Sequence, residues 1–565
     1  MTPGWGATLL DDGRTRFALW APDRDAVTLE IDGGAPVTMT ADDNGWFVTT
    51  TPAPAGTRYR FRLDADLAVP DPASRAQSGG VHGWSLVIDP SYAWTVPDWR
   101  GRPWEETVLI ELHAGTLGGF RGVMDQIPAL AALGITAVEL MPVNAFGGTR
   151  NWGYDGVLPY APAEAYGSPA DLKALVDEAH AFGLSIFLDV VYNHFGPDGN
   201  YLGAYASGFF DADVDTPWGG AIAVTQPAVH RFIVDNALMW LDDYRFDGLR
   251  LDAVHAIGNP DFLDAMATEI RAALPDRHVH LVLENESNDA DRLRAGGYDA
   301  QWNDDFHNVL HVLLTGETSA YYGDFADQPA ERLARCLSEG FIYQGEGSPN
   351  HDGKSRGKQS GHLSPTRFVA FLQNHDQIGN RALGERLTVL TDPDRLRAAT
   401  ALLLLGPQIP LLFMGDEVGS DSPFLFFTDF HDELADAVRE GRRREFAKFD
   451  AFADPAARER IPDPNALTTF DRSRARRGPD AQRWHTLYRE LIALRQRAIV
   501  PHLSGATALG AEATGDAAVT ARWRLGDDSI LTIAIDLADQ PQPLPQGQGE
   551  MLHGEGTRFR AWIAR

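Results

Sequence analysis

The chain has 565 residues, of which 44% are hydrophobic, 23% charged and 10% aromatic, proportions that exclude a disordered or fibrous protein. Lys and Arg number 49 against 79 Asp and Glu, and the resulting net charge of −30 disfavours nucleic-acid backbones and anionic membrane surfaces as partners. The single cysteine, Cys336, excludes an internal disulfide, so no disulfide framework is expected and a cytoplasmic location fits best.

Residues 1–92 read as β. Short segments rich in β-formers (Phe17-Ala18-Leu19-Trp20, Val27-Thr28-Leu29-Glu30-Ile31, Trp46-Phe47-Val48, Tyr59-Arg60-Phe61-Arg62-Leu63) are separated by turn clusters such as Asp42-Asp43-Asn44-Gly45. That pattern predicts an N-terminal antiparallel β-sandwich. The opening Met1-Thr2-Pro3-Gly4-Trp5 has no basic segment followed by an apolar run, so no signal peptide is expected.

A linker containing Pro97 and Pro103 leads into a second pattern over 105–497. Apolar strands are expected at 108–112, 137–140, 185–191, 248–252, 279–284, 300–302, 369–373 and 411–414. Helical periods lie between them, at 168–182 with Ser168 as N-cap, at 230–244 and at 260–274. Eight strands alternating with helices or long loops predict an α/β fold, a (β/α)8 TIM barrel, with the sixth strand the weakest signal. The longest apolar stretch, 398–415, is interrupted by Pro407, Gln408 and Pro410; it reads as a buried helix followed by a buried strand, not a membrane span. Residues 500–565 return to β character and form a small C-terminal β domain. The Gly-, Ser-, Gln- and Pro-rich segments 345–365 and 538–556 are expected to be loops.

Polar residues gather at the C-terminal ends of the predicted strands, where a barrel carries its active site. The third strand ends Asp189-Val190-Val191-Tyr192-Asn193-His194, the fourth Gly248-Leu249-Arg250-Leu251-Asp252-Ala253-Val254-His255, the fifth Leu283-Glu284-Asn285-Glu286 and the seventh Asn374-His375-Asp376. Core packing alone would not converge several carboxylates, because burying them costs free energy unless they are paired. Two carboxylates suit glycoside hydrolysis, one ionised to attack the anomeric carbon and one protonated to serve the leaving oxygen. Arg250 and Asp252 share a strand face, and a guanidinium there favours the ionised carboxylate. Glu284 and Glu286 also share a face by alternation, so spacing alone does not separate them as the acid. Asp189 and Asn193 read as scaffold, Cys336 as inert, and the acidic run 211–215 as solvated loop, since it lacks a calcium-loop pattern.

These four motifs, in this order and approximate spacing, resemble the four signature regions of the α-amylase superfamily of glycoside hydrolases. Pro70–Arg75 with Gly80-Val81-His82-Gly83 resembles the sandwich domain of its glycogen-related branch. The stretches 110–116, 151–157, 192–201, Thr216-Pro217-Trp218-Gly219, 302–307 and 375–381 are most similar to the maltooligosyltrehalose trehalohydrolase family. The resemblance implies a retaining hydrolase that cleaves the α-1,4 bond beside a terminal α,α-trehalose of maltooligosyl trehalose. By motif, it implies Asp252 as nucleophile, Glu284 as acid/base and Asp376 as the third carboxylate. It implies Tyr154, His194, Arg250, His255, His375 and Asn380 as substrate ligands, with Asp304, Asp305 and His307 toward the trehalose. The loop after Trp218 departs from the family, with Ala221-Ile222-Ala223-Val224 where an Asn is expected. A glucan branching enzyme would share the same carboxylates and differ in product; a non-catalytic glycan-binding protein would share only the fold. The expected partners are maltooligosyl trehalose and related α-glucans, the expected state is a monomer, and neither a metal nor an organic cofactor is expected, because two carboxylates and a water suffice.

Overall fold

The computed structural model describes residues 4–216, 219–447, 452 and 454–565. Met1–Pro3 of the opening segment, and Pro217 and Trp218 of the motif at 216–219, lie outside these residues. The N-terminal segment forms two antiparallel sheets. One is ordered Gly6–Leu9, Arg14–Trp20, Trp46–Pro52, Thr40–Ala41; the other is built around Thr28–Ile31 and Arg58–Arg62. The sheets meet through Phe17 edge-on to Tyr59, with ring centroids 4.7 Å apart. Trp5 fastens this sandwich to the next layer: its indole donates to the Ala228 carbonyl at 3.2 Å and packs edge-on against Phe232.

The central part is a closed parallel barrel of eight strands in sequence order. They are β1 (Leu109–Leu112), β2 (Ala137–Leu140), β3 (Ser185–Val190), β4 (Gly248–Leu251), β5 (His280–Leu283), β6 (Ala300–Trp302), β7 (Phe368–Phe371) and β8 (Ile409–Phe413). Near-continuous apolar strands are what a sheet covered on both faces requires. The helices lie where the periodicity places them: Pro169–Ala181, capped by Ser168, Pro260–Ala273, and Pro227–Leu238, whose last turn widens to a π-turn over Met239–Asp243. The apolar stretch at 398–415 forms the end of the buried helix Pro393–Leu405 and then β8. Among the described residues no helix is long and apolar enough to cross a membrane.

The barrel interior is layered by the two-residue alternation of its strands. Leu109, Ala137, Phe187, Val282, Ala300, Val369, Ile409 and Leu411 form an apolar lower plug, closed below by Trp104. The next inward positions are Glu111, Glu139, Asp189 and Arg250, all buried. Gly248 belongs to the lower layer, where a Cβ would meet the Phe187 ring at 2.8 Å and the His280 carbonyl at 2.9 Å. Glycine is the residue that lets β4 run this close to its neighbours.

A helix at Ala481–Ala498 packs on the helix before β8, and its fully buried Arg495 donates to the carbonyls of Leu404 and Gln408 at 3.2 and 2.7 Å. The chain ends in a five-stranded antiparallel sheet ordered Thr507–Gly515, Ala518–Arg524, Ile530–Asp536, Phe559–Ala564, Glu550–Glu555. This corrects the expectation of a loop over 538–556. Residues 550–555 are a strand, because pairing with the apolar terminal strand supplies the backbone partners that a Gly- and Gln-rich segment does not advertise.

Candidate active site

The C-terminal mouth of the barrel opens into a cleft of about 650 Å³. Arg250 organises its floor. Its side chain is fully buried, and Nη1 donates to Asp189 Oδ2 at 2.6 Å and to Asp252 Oδ1 at 2.8 Å. Nη2 stands 3.7 Å from Glu284 Oε2, and the guanidinium lies over the Trp302 ring at 4.1 Å. Asn193, from the turn after β3, donates to Asp252 Oδ2 at 2.8 Å and to its carbonyl at 2.9 Å. Burial pushes Asp189 up to about 7, against the pull of Arg250, and pushes Glu139 well above the carboxylate range with help from Glu111. Proton uptake thus relieves the crowding of acids that β1, β2 and β3 bring together.

Just past β4 the backbone turns sharply. Ala253 has φ 40°, the left-handed region that a residue with a Cβ rarely adopts. Its N–H donates to Glu284 Oε2 at 2.6 Å, and the Val254 N–H reaches the Glu284 carbonyl at 3.0 Å. The strain persists because these bonds hold the ends of β4 and β5 in register. Glu284 is raised well above its ordinary range, chiefly by burial and then by Asp252, Asp304 and Asp376, with Arg250 opposing. Glu286 lies in different surroundings. β5 stops at Leu283, so strand alternation does not extend to residue 286, and its side chain is 56% exposed at the rim. It stands 3.7 Å from His255 Nε2 and 3.4 Å from His351 Nε2.

On the opposite wall, Tyr154 stacks on His375, with centroids 5.1 Å apart and planes 25° apart, and its hydroxyl donates to Asp189 Oδ2 at 2.6 Å. His194 contacts the Tyr154 carbonyl through Nε2 at 3.0 Å, and burial lowers its pKa. His375 Nδ1 meets Glu111 Oε1 at 2.5 Å and its Nε2 faces Asp376 Oδ2 at 3.4 Å. Burial alone would lower His375, but the carboxylates of Asp376 and Glu111 raise it to about 9. Asn380 donates to Asp376 Oδ1 at 3.2 Å, and Asp304, pushed to about 7 mainly by burial and then by Asp376, completes the wall. Tyr154, His194, Asp252, His255, Glu284, Asp304, His375, Asp376 and Asn380 all line the cleft.

Asp305 and His307, expected toward the trehalose, are buried and not among the residues that line the cleft. Both begin the helix Asp304–Thr315, where successive side chains are about 100° apart, so Asp304 and, one turn on, Asn308 face the opening while Asp305 and His307 turn away. Asp305 accepts from the N–H of Ile342 at 2.8 Å and pairs with Arg356 Nη2 at 3.1 Å. His307 is buried between the Leu372 carbonyl and the Tyr322 hydroxyl. Conversely, the cleft takes residues that carry no sequence signal. His351 and Arg356 come from the Gly- and Ser-rich segment before β7, and Arg442 and Glu445 from the helix Asp432–Phe446.

Two sequence families match this chain: the alpha amylase catalytic domain over residues 86–209, and a domain of unknown function, DUF3459, over 506–561. The malto-oligosyltrehalose trehalohydrolase of Deinococcus radiodurans is 40% identical over 98% of this chain and 93% of its own length. That of Saccharolobus solfataricus is 42% identical over 78% of this chain and 80% of its own. A crystal structure described as a putative alpha amylase from Salmonella typhimurium superposes with a TM-score of 0.93 at 44% identity, covering all of both chains. Full-length likeness at this level, together with the barrel and its converged carboxylates, shows that the chain belongs to the malto-oligosyltrehalose trehalohydrolase family of the α-amylase superfamily.

Proposed function

We propose that this enzyme hydrolyses the α-1,4-glucosidic bond beside the terminal α,α-trehalose of maltooligosyl trehalose, releasing trehalose and a maltooligosaccharide with retention of configuration. One observation carries the mechanism. The same cleft holds Asp252 against the Arg250 guanidinium at 2.8 Å and forces Glu284 toward its protonated form. Opposite protonation of two neighbouring carboxyls is the division of labour that retaining hydrolysis needs. Asp252 attacks the anomeric carbon while Glu284 gives its proton to the glycosidic oxygen; the C–O bond breaks, trehalose leaves and a glycosyl ester forms. Glu284, now ionised, takes a proton from water, whose oxygen attacks the same carbon and frees Asp252. Tyr154 offers its ring face to the sugar, and Asp376, His194 and His375 surround its hydroxyls. The Asp376 carboxyl oxygens and protonated His375 supply complementary acceptor and donor groups. The lone, buried Cys336 fits a reducing cytoplasm, and we read the active unit as a monomer.

The test is product analysis. Purified protein is incubated with maltotriosyltrehalose and, separately, with maltopentaose and amylose, and products are separated by chromatography. Rapid release of trehalose with little cutting of maltopentaose supports the reading. New α-1,6 linkages in amylose without trehalose release would replace it with glucan branching.

A further inference from the structure

The mechanism above leaves Glu286 and His351 unused, although both line the cleft. The proton donor marks the side from which a leaving group departs. Tyr154, His194 and His375 approach Asp252 from the segment between β2 and β3, the end of β3 and the end of β7. His255, Glu286 and His351 instead rise from the ends of β4 and β5 and from the segment between β6 and β7, beyond Glu284. They form one cluster: Glu286 Oε2 lies 3.7 Å from His255 Nε2, and Oε1 lies 3.4 Å from His351 Nε2. Neither separation is a good hydrogen bond, so both oxygens keep capacity for a ligand.

The cluster is fixed from behind. The Glu286 N–H points at His255 Nδ1 at 3.4 Å, and Arg356 Nε donates to the Glu286 carbonyl at 2.9 Å. The Gly357 and Lys358 N–H groups bond the carbonyls of Ser287 and Asn288, both at 3.1 Å. Asp305 holds the other end of Arg356 at 3.1 Å. A carboxylate held by its backbone and left open at its head is a preorganised acceptor, which lowers the ordering cost of binding. Two acceptor oxygens flanked by imidazoles suit adjacent hydroxyls of a pyranose ring; with its Nδ1 facing the Glu286 N–H, His255 presents Nε2 as a donor.

Resting on the functional reading above, we propose that Glu286, framed by His255 and His351, is a specificity-determining residue that binds hydroxyls of the leaving disaccharide. The test compares Glu286→Gln with the wild-type chain on two substrates, maltotriosyltrehalose and 4-nitrophenyl α-maltotrioside, whose aryl leaving group carries no sugar hydroxyl. The readout is the ratio of the two kcat/KM values. The ratio is expected to fall ~10–100-fold in the variant, the weight of one or two charge-assisted hydrogen bonds. A ratio within twofold of wild type overturns the proposal, whether the individual rates fall together or stand still. Wild-type protein that cleaves the aryl glycoside and releases no trehalose overturns the functional reading itself, and this proposal with it.

Discussion

His375 offers a quantitative check on the electrostatics of the cleft. The ring is buried, its Nδ1 meets Glu111 at 2.5 Å and its Nε2 faces Asp376 at 3.4 Å. Its pKa is about 9 in the folded chain against 6.5 for the free side chain. The folded state therefore holds this proton more tightly, and the stabilisation is complete below pH 6.5 and is lost as pH rises through 9. The difference, 9 − 6.5 = 2.5, corresponds to about 3 kcal/mol at 1.36 kcal/mol per unit. At about 2.1 cal/mol/K per residue, 565 residues unfolding together have an entropy near 1.2 kcal/mol/K, so the effect is roughly 3 °C in Tm. The assay is scanning calorimetry of wild type and His375→Gln at pH 6, 7, 8 and 9.5. Asp304 and Glu417, each raised to about 7 by burial and neither shifted by His375, titrate in both chains and largely cancel in the difference. The wild-type advantage should shrink by roughly 3 °C between pH 6 and 9.5. Parallel curves would refute the claim that Glu111 and Asp376 hold His375 in its charged form.

Two further outcomes follow from the geometry. Because Glu284 is needed with its proton, kcat should fall as pH rises through its elevated pKa, and Glu284→Gln should abolish that alkaline limb while lowering kcat by about 10²–10⁴-fold; a variant retaining the same limb would exclude Glu284 as the acid. Arg495→Met should lower stability by about 2–4 kcal/mol, since the carbonyls it satisfies are left buried, and should leave kcat within twofold of wild type; calorimetry and steady-state rates on one preparation test both halves.

The barrel was legible because its strands are short apolar runs whose polar residues begin where the strand ends. The sixth, only three residues long, still falls at Ala300–Trp302. The layering of Leu109 with Glu111, Phe187 with Asp189 and Gly248 with Arg250 follows from alternation alone. Alternation misleads at Glu284 and Glu286, because β5 has ended and a turn sends one carboxyl inward and the other to the rim. The cluster Asp304-Asp305-Phe306-His307 reads as one patch in sequence, yet helical geometry divides it between the cleft and the packing behind. His351 and Arg356 were not legible at all. Their segment has the composition of an ordinary loop, and long-range bonds to 286–288, Asp305, Tyr321 and Asp324 bring it to the site.

The single guanidinium beneath the cleft also bears on how such a protein can change over generations. Asp189, Asp252 and Tyr154 are wired to one another through Arg250 and its partner Asp189, and Tyr154 in turn stacks on His375. A substitution at any one of them disturbs the charge or the seating of the others, so their effects combine non-additively and single steps meet steep losses. The rim formed by His255, Glu286 and His351 shares no hydrogen bond with Arg250 and can vary without disturbing that network. Inherited novelty in what this barrel cleaves can therefore accumulate at its lip while its floor stays frozen as a block.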